Sequence, residues 1–375
     1  MAERQVVVVG AGALGGWTAL ECLRGGAQVT LVDAWEPGHS RASSGGDTRV
    51  IRHGYGPEGI YVGLVQRALA AWRRAPEDLG EALLDETGVL WLVQEDEAFE
   101  VESMDQMGRA GVPVERLERG ELARRWPQVN LSGVRWALHE PHAGALSARQ
   151  ACRAVARAFQ AGGGRLVRGH ALPIDPASGP ITSLRLSDGS TLRADRFVLA
   201  PGPWAAALLP KTLAPLLSVT RQEVFTFGTP PGDTAHHARA LPVWADHSEH
   251  FWYGIPGNRD RGFKLGRDTL GPVVDPTTME RTPGPDELAA VRAYLALRFP
   301  GMAGAPLLES RVCQYTNTPD RQPILSPLPG SPQVALAAGG SGHAFKLGPA
   351  LGADLAAWAL RDAPLDPFFT VDRFA

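Results

Sequence analysis

Three cysteines, Cys22, Cys152 and Cys313, are all that the 375 residues contain. They are an odd number, far apart, with neither CxxC nor metal-ligand spacing. That excludes a disulfide framework as the basis of the fold, suggests no metal site, and points to a reducing compartment. Runs of like charge are also missing. Lys and Arg total 37 against 40 Asp and Glu, a formal charge of −3, so nothing predicts nucleic-acid binding. Long apolar runs are absent as well: the opening "QVVVVGAGALGG" is too short for a signal-peptide core or a bilayer span. The expectation is a cytoplasmic protein without membrane association. No repeat, linker or low-complexity segment occurs.

What is present is ordinary for a soluble globular chain, 44% hydrophobic and 21% charged residues, and the length favours two domains. The first thirty-five residues carry the sharpest pattern. A four-valine run leads to Gly10, Gly12 and Gly15 at GxGxxG spacing, then to a helical stretch, then to a second apolar run ending at Asp33. This is a βαβ unit. Gly10 permits the tight turn, Gly12 lets backbone approach a pyrophosphate, and Gly15 lets helix and strand pack closely. The helix N-terminus supplies amide donors, and Asp33 can accept ribose hydroxyls. A glycine motif alone also fits a tight turn without a ligand; strand, helix, second strand and acid in order favour a dinucleotide, NAD or FAD.

The polar, glycine-rich stretch "AWEPGHSRASSGGDTRVIRHGYG", residues 34 to 56, stands where an NAD-type domain would proceed to its next helix and strand. It can wrap a longer cofactor, with Ser43, Ser44, Thr48 and Arg49 as candidate contacts. In a helical turn, Arg49 and Arg52 would face one side. "ADRFVLAPGPWAAALL" places Gly202 and Trp204 after a strand and before a helix. "QVALAAGGSGHAFKLGPALGADLAAWAL" repeats that layout with Gly339, Gly340 and Gly342, and with Leu347, Leu351 and Leu355 on one helix face. Pro349 falls in that helix's first turn, where a missing N–H costs little.

These glycine-marked strand ends, with "GDTRVIRHGYG", "RWP", "GFKLG", "VCQYTNTPD" and "GGSGHAFK", resemble the FAD-dependent amine oxidases of the D-amino-acid oxidase superfamily, and within it the monomeric sarcosine oxidase family. Relatives there are N-methyltryptophan oxidase, pipecolate oxidase and fructosyl-amine oxidase. The resemblance implies a mixed α/β fold: a Rossmann-like FAD-binding domain with an interleaved, mostly antiparallel-sheet substrate domain. The expected division is residues 1–86, 145–215 and 313–375 for FAD and residues 87–144 and 216–312 for substrate. It implies oxidation of a secondary amine such as sarcosine to an imine that hydrolyses, with O2 returned as H2O2, by a monomer. Cys313, followed by Gln314, Tyr315 and Thr316, matches the cysteine that carries the flavin as a thioether. Lys264 matches the lysine that activates oxygen. Arg52 and Lys346 match the substrate-carboxylate clamp, and Tyr253 and Tyr315 the aromatic walls of the amine pocket. His343 matches a histidine beside the flavin. Lys264, Arg49, His343 and Tyr315 are thus the catalytic candidates, and His343 and Lys346 also face the cofactor.

Asp268 departs from the family pattern, which often has histidine four residues after the lysine; a carboxylate there would favour a cationic or larger amine. The segment "FGTPPGDTAHHARALPVWADHSEH", residues 227 to 250, reads as a loop covering the pocket. The runs "TGVLWLVQ", "EVFTFG", "HFWYGIP" and "GFKLG" read as strands of the second sheet, and "PGPDELAAVRAYLALRFPG" as an amphipathic helix. Cys22 and Cys152 lie in helical, apolar surroundings and carry no chemistry. The alternatives are an amine dehydrogenase passing electrons to another acceptor, an NAD-dependent reductase, and a flavoprotein used only for binding.

Overall fold

The computed structural model describes residues 4–175, 180–248, 250–257 and 261–375. Among these, a six-stranded sheet runs in the order Ile324–Leu328, Ser331–Ala338, Arg196–Leu199, Gln5–Val9, Gln28–Asp33, Arg165–Arg168. The neighbours pair in parallel except for the edge hairpin formed by the first two. Such a sheet is covered on both faces, which is why Gln5–Val9 reads as an unbroken valine run. Val6 and Val8 join one apolar cluster with the helices Ala13–Arg24, Ile60–Arg73, Ala148–Ala161 and Gly348–Arg361, while Val7 and Val9 join another on the opposite face. Cys22 and Cys152 are buried within two of those helices.

A second sheet has eight strands in the order Leu307–Asn317, Ser218–Phe227, Phe263–Arg267, Phe251–Ile255, Val243–His247, Val89–Val93, Trp136–Glu140, Glu115–Glu118. It is antiparallel apart from the pair of Val243–His247 with Val89–Val93. Its period-two alternation is clean. Phe225, Phe227, Trp252, Phe263 and Leu265 face a core shared with the helix Pro285–Arg298, whereas Val224, Thr226, Tyr253 and Lys264 face a pocket on the other side. A small sheet of Thr48–Ile51, Gly144–Ser147 and Leu84–Asp85 lies where the chain passes between the two large ones. The division expected between residues 312 and 313 falls inside Leu307–Asn317, which pairs with Ser218–Phe227 along almost its full length.

The structure corrects three expectations. Thr48–Ile51 is extended, not helical, so Arg49 and Arg52 do not share a face by a helical turn; Arg52 follows the last strand residue and is brought to the same pocket by the turn after it. The helix near the C-terminus begins at Gly348, after a single 3-10 turn at Phe345–Leu347, so Leu347 is its N-cap and not part of the helix face that holds Leu351 and Leu355. Finally, residues 227–250 are not a cover over the pocket. Val243–His247 is an inner strand of the eight-stranded sheet, and the His236 ring lies 6.2 Å from both Phe263 and Phe299, on the face opposite Lys264. The strand was hidden by Asp246, a carboxylate in its middle that looks like loop chemistry. Asp246 is wholly buried, because Arg298 pairs with it at 2.8 Å, Tyr294 Oη donates to it at 2.7 Å and Gln94 Nε2 at 2.7 Å.

That cluster ties the helix Pro285–Arg298 to the sheet. Arg298→Ala strands a buried carboxylate and is expected to lower the unfolding free energy by about 3–5 kcal/mol, measured by chemical denaturation. An unchanged midpoint would contradict the tie.

Candidate active site

The glycine turn after the first strand is built for close approach. Gly10 has φ +100°, and a Cβ there would run into the Ala200 carbonyl; one on Gly15 would meet the Gly10 carbonyl. A Cβ on Gly12 would come 3.2 Å from Ser44 Oγ. Asp33 closes this turn, its Oδ2 accepting from the Ala11 amide at 2.6 Å and its Oδ1 from the Trp35 amide at 2.9 Å. One lone pair on each oxygen remains for a ligand. Above the turn lies a cleft of about 390 Å³. Gly10, Gly12, Asp33, Ser43, Ser44, Gly202, Trp204, Gly340 and Gly342 line it, and Trp204 packs on Trp35 at 4.7 Å. Gly15 lies behind the turn, and Thr48 does not reach the cleft: its carbonyl instead accepts from Lys264 Nζ at 3.0 Å and Arg49 Nη1 at 2.7 Å.

A second cavity of about 120 Å³ adjoins it, lined by Arg52, Tyr253, Lys264, Asp268, Cys313, His343 and Lys346. Arg49, Tyr315, Gly342 and Phe345 line both spaces and form their common wall. Cys313 lines the second cavity beside that wall, its Sγ 3.7 Å from Arg49 Nη2 and 3.9 Å from the Ser43 carbonyl. Tyr315, Tyr253 and Asp268 line the pocket together, and the Asp268 charge acts on both tyrosines. Lys264 Nζ is 5.9 Å from the Tyr253 ring centroid.

Electrostatics in the pocket are governed by burial among cations. Burial, followed by the charge of Arg49, lowers Lys264 to about 7. Burial and then Arg52 hold Lys346, 3% exposed, well below the ordinary lysine value. Burial and Lys346 bring His343 down to about 3, so this imidazole stays neutral. Burial raises Asp268, Tyr253 and Tyr315. An anion entering this pocket would relieve the repulsion among its cations.

Residues 5–358 match the DAO family, described as FAD dependent oxidoreductase. The chain belongs to this family. As an FAD-dependent oxidoreductase it is an enzyme, and the nicotinamide alternative falls. It is 32% identical to monomeric sarcosine oxidase from Bacillus sp. over 362 residues, covering 95% of this chain and 92% of the relative. N-methyl-L-tryptophan oxidase from Yersinia pestis is 29% identical, covering 99% and 100%. Among solved structures, L-proline dehydrogenase from P. horikoshii superposes with a TM-score of 0.85 at 21% identity, over 99% and 98% of the two chains, a likeness of fold.

The residues of this enzyme fit FAD. The glycine turn leaves room for a pyrophosphate where side chains would intrude, Asp33 lines the cleft beside it, and the cleft continues from there to Arg49 and Tyr315. Among the described residues no group of three or more His, Cys, Asp or Glu could hold a metal ion, and no helix is long and apolar enough to cross a membrane.

Sequence reasoning missed three residues. Tyr55 lies under the Arg52 guanidinium, 4.4 Å from its ring centroid, and its hydroxyl accepts from Lys346 Nζ at 2.7 Å. Trp91 lies 5.0 Å from the same guanidinium. Glu140 accepts from the Trp91 indole at 2.8 Å. Tyr55 lies within "GDTRVIRHGYG", Trp91 reads as one residue of an apolar strand, and Glu140 carries no local signal.

Lys264 keeps its proton to about pH 10.4 in an unfolded chain but only to about 7 in the folded site. Between those limits the unfolded state binds more protons, so this group's contribution to stability rises with pH. Wild type is therefore expected to gain thermal stability relative to Lys264→Met between about pH 7 and about pH 10. A constant gap between the two melting temperatures would contradict a buried lysine that loses its proton.

Proposed function

We propose that this enzyme oxidises the carbon–nitrogen bond of a secondary amino acid of the sarcosine type, giving an imine that water hydrolyses, with O2 reduced to H2O2. The reading is carried by one observation. Two cations suited to a carboxylate, Arg52 and Lys346, share a pocket with a third, Lys264, and the pocket meets the cofactor cleft at Arg49 and Tyr315, with Cys313 on the pocket side beside Arg49. The relatives named for sarcosine and N-methyl-L-tryptophan support the amine class.

FAD, when bound, supplies the two-electron oxidation and the electrons that reach oxygen. Gly10, Gly12, Asp33, Ser43, Ser44, Gly202, Trp204, Gly340 and Gly342 hold it, and Cys313 joins it through a thioether. Arg52 and Lys346 fix the substrate carboxylate, a planar fork and a point charge together. Tyr253 and Tyr315 present ring faces to the N-substituent and keep water out. Their hydroxyls stay protonated, since burial raises both. Neutral His343 fills the pocket beside Lys346 without adding charge. Lys264 is tethered by the Thr48 carbonyl and, when protonated, stabilises negative charge developing on oxygen in a site shielded from solvent. Asp268, beside Tyr315, favours amines that bring a further donor or positive charge. The FAD-holding part comprises residues 1–86, 145–215 and 313–375, and the rest carries substrate. The enzyme works as a monomer in the cytoplasm.

Two outcomes test this reading. Acid-precipitated wild type should remain yellow, while Cys313→Ser should release the colour to the supernatant; a colourless wild-type pellet contradicts the linkage. Lys264→Met should slow reoxidation of the reduced enzyme by about a hundredfold, the cost of one fixed electrostatic group, and slow reduction by sarcosine far less. Stopped-flow traces showing equal slowing would remove the oxygen role.

A further inference from the structure

Glu140 ends the strand Trp136–Glu140, is 1% exposed, and lines neither cavity. Both its oxygens are nonetheless occupied. Oε2 accepts from the His53 amide at 2.6 Å and lies 3.2 Å from His53 Nδ1; Oε1 accepts from the Gly54 amide at 3.1 Å and from Trp91 Nε1 at 2.8 Å. A buried carboxylate is tolerated only when its lone pairs are used in this way.

The backbone that Glu140 grips lies between the two halves of the substrate clamp. Just before it is Arg52, whose guanidinium donates to the Gly54 carbonyl and lies against the rings of Tyr55 and Trp91. Just after it is Tyr55, whose hydroxyl receives Lys346 Nζ at 2.7 Å. Trp91 is itself held by Glu140. One carboxylate therefore fixes the turn that carries Arg52, one of the rings Arg52 rests on, and the phenol that Lys346 leans on. The seat is tight: a Cβ on Gly54 would come 3.1 Å from the Trp91 ring and 3.2 Å from Glu140 Oε1. The Glu140 charge also acts on Lys346 in the direction that favours its protonated form.

We propose that Glu140 is the positioning residue of the carboxylate clamp, setting the register of Arg52 and Lys346 from outside the pocket. The inference rests on the reading of those two residues as the clamp. A merely structural carboxylate would affect folding; a positioning one affects the affinity for carboxylates.

The test is Glu140→Gln in the flavin-loaded enzyme, which keeps the shape and one acceptor oxygen but removes the charge and sets an amide against donors. With sarcosine or proline, whichever wild type oxidises faster, KM should rise about tenfold, the scale of one lost hydrogen bond to a charged group, and kcat should change much less. The dissociation constant of acetate, read from its perturbation of the visible flavin spectrum, should weaken by a similar factor, and Glu140→Asp, which retains the charge, should recover part of it. If Glu140→Gln does not fold, Trp91→Phe removes one of the donors and should raise the same two constants. KM and acetate binding equal to wild type in whichever variant folds, or a loss confined to kcat, overturns the role of Glu140 while leaving the clamp standing. A wild-type enzyme that neither binds acetate nor oxidises a carboxylated amine overturns the clamp, and this inference with it.

Discussion

The antiparallel ladder between Ser218–Phe227 and Leu307–Asn317 is the constraint on which the arrangement of both cavities depends. It pairs Cys313 with Gln222 and Tyr315 with Thr220, and it carries the second strand from the edge of the eight-stranded sheet to the mouth of the cofactor cleft. A slip of one residue would turn Cys313 and Tyr315 to the other face and put Val312 and Gln314 in their place. Because register is fixed over so many pairs, two side chains two apart can serve one wall, with the thiol near Arg49 and the phenol between cleft and pocket.

Around that wall the pocket lining gathers five cations, Arg49, Arg52, Lys264, Arg311 and Lys346, against three carboxylates, Asp47, Asp268 and Glu309. Folding tolerates this because neighbours share the load. The Thr48 carbonyl takes Lys264, the Tyr55 hydroxyl and the His343 carbonyl take Lys346, and aromatic faces take Arg52. Burial, and then the charges of Arg49 and Arg52, nonetheless lower the proton affinity of both lysines. The site is thus suited to an anion, since burial raises Asp268 and so limits how much of the positive charge it offsets.

Much of this was legible along the chain because it is local. The turn at Gly10, the apolar strands, the helix at Pro285 and the pocket residues within "GFKLG" and "GGSGHAFK" all sit inside short motifs whose periodicity or spacing carries the signal. What was misread is equally specific. Val243–His247 reads as loop along the chain because Asp246 breaks its apolar pattern, and that carboxylate becomes reasonable only when Arg298, fifty-two residues later, pairs with it. Arg49 and Arg52 were given a helical relation, whereas an extended strand and a turn held by a distant acid bring them together.

By itself the sequence determined the dinucleotide turn and the alternation that builds the second sheet, since each of these depends on neighbours within a few positions. Only the tertiary structure decided which face of each sheet meets the pocket, that Val243–His247 is an inner strand lining it while His236 packs on the opposite face, and that Glu140 reaches across eighty-seven residues to the His53 amide. Those relations depend on hydrogen bonds and buried ion pairs between elements remote in the chain, whose partners exist only once both have folded.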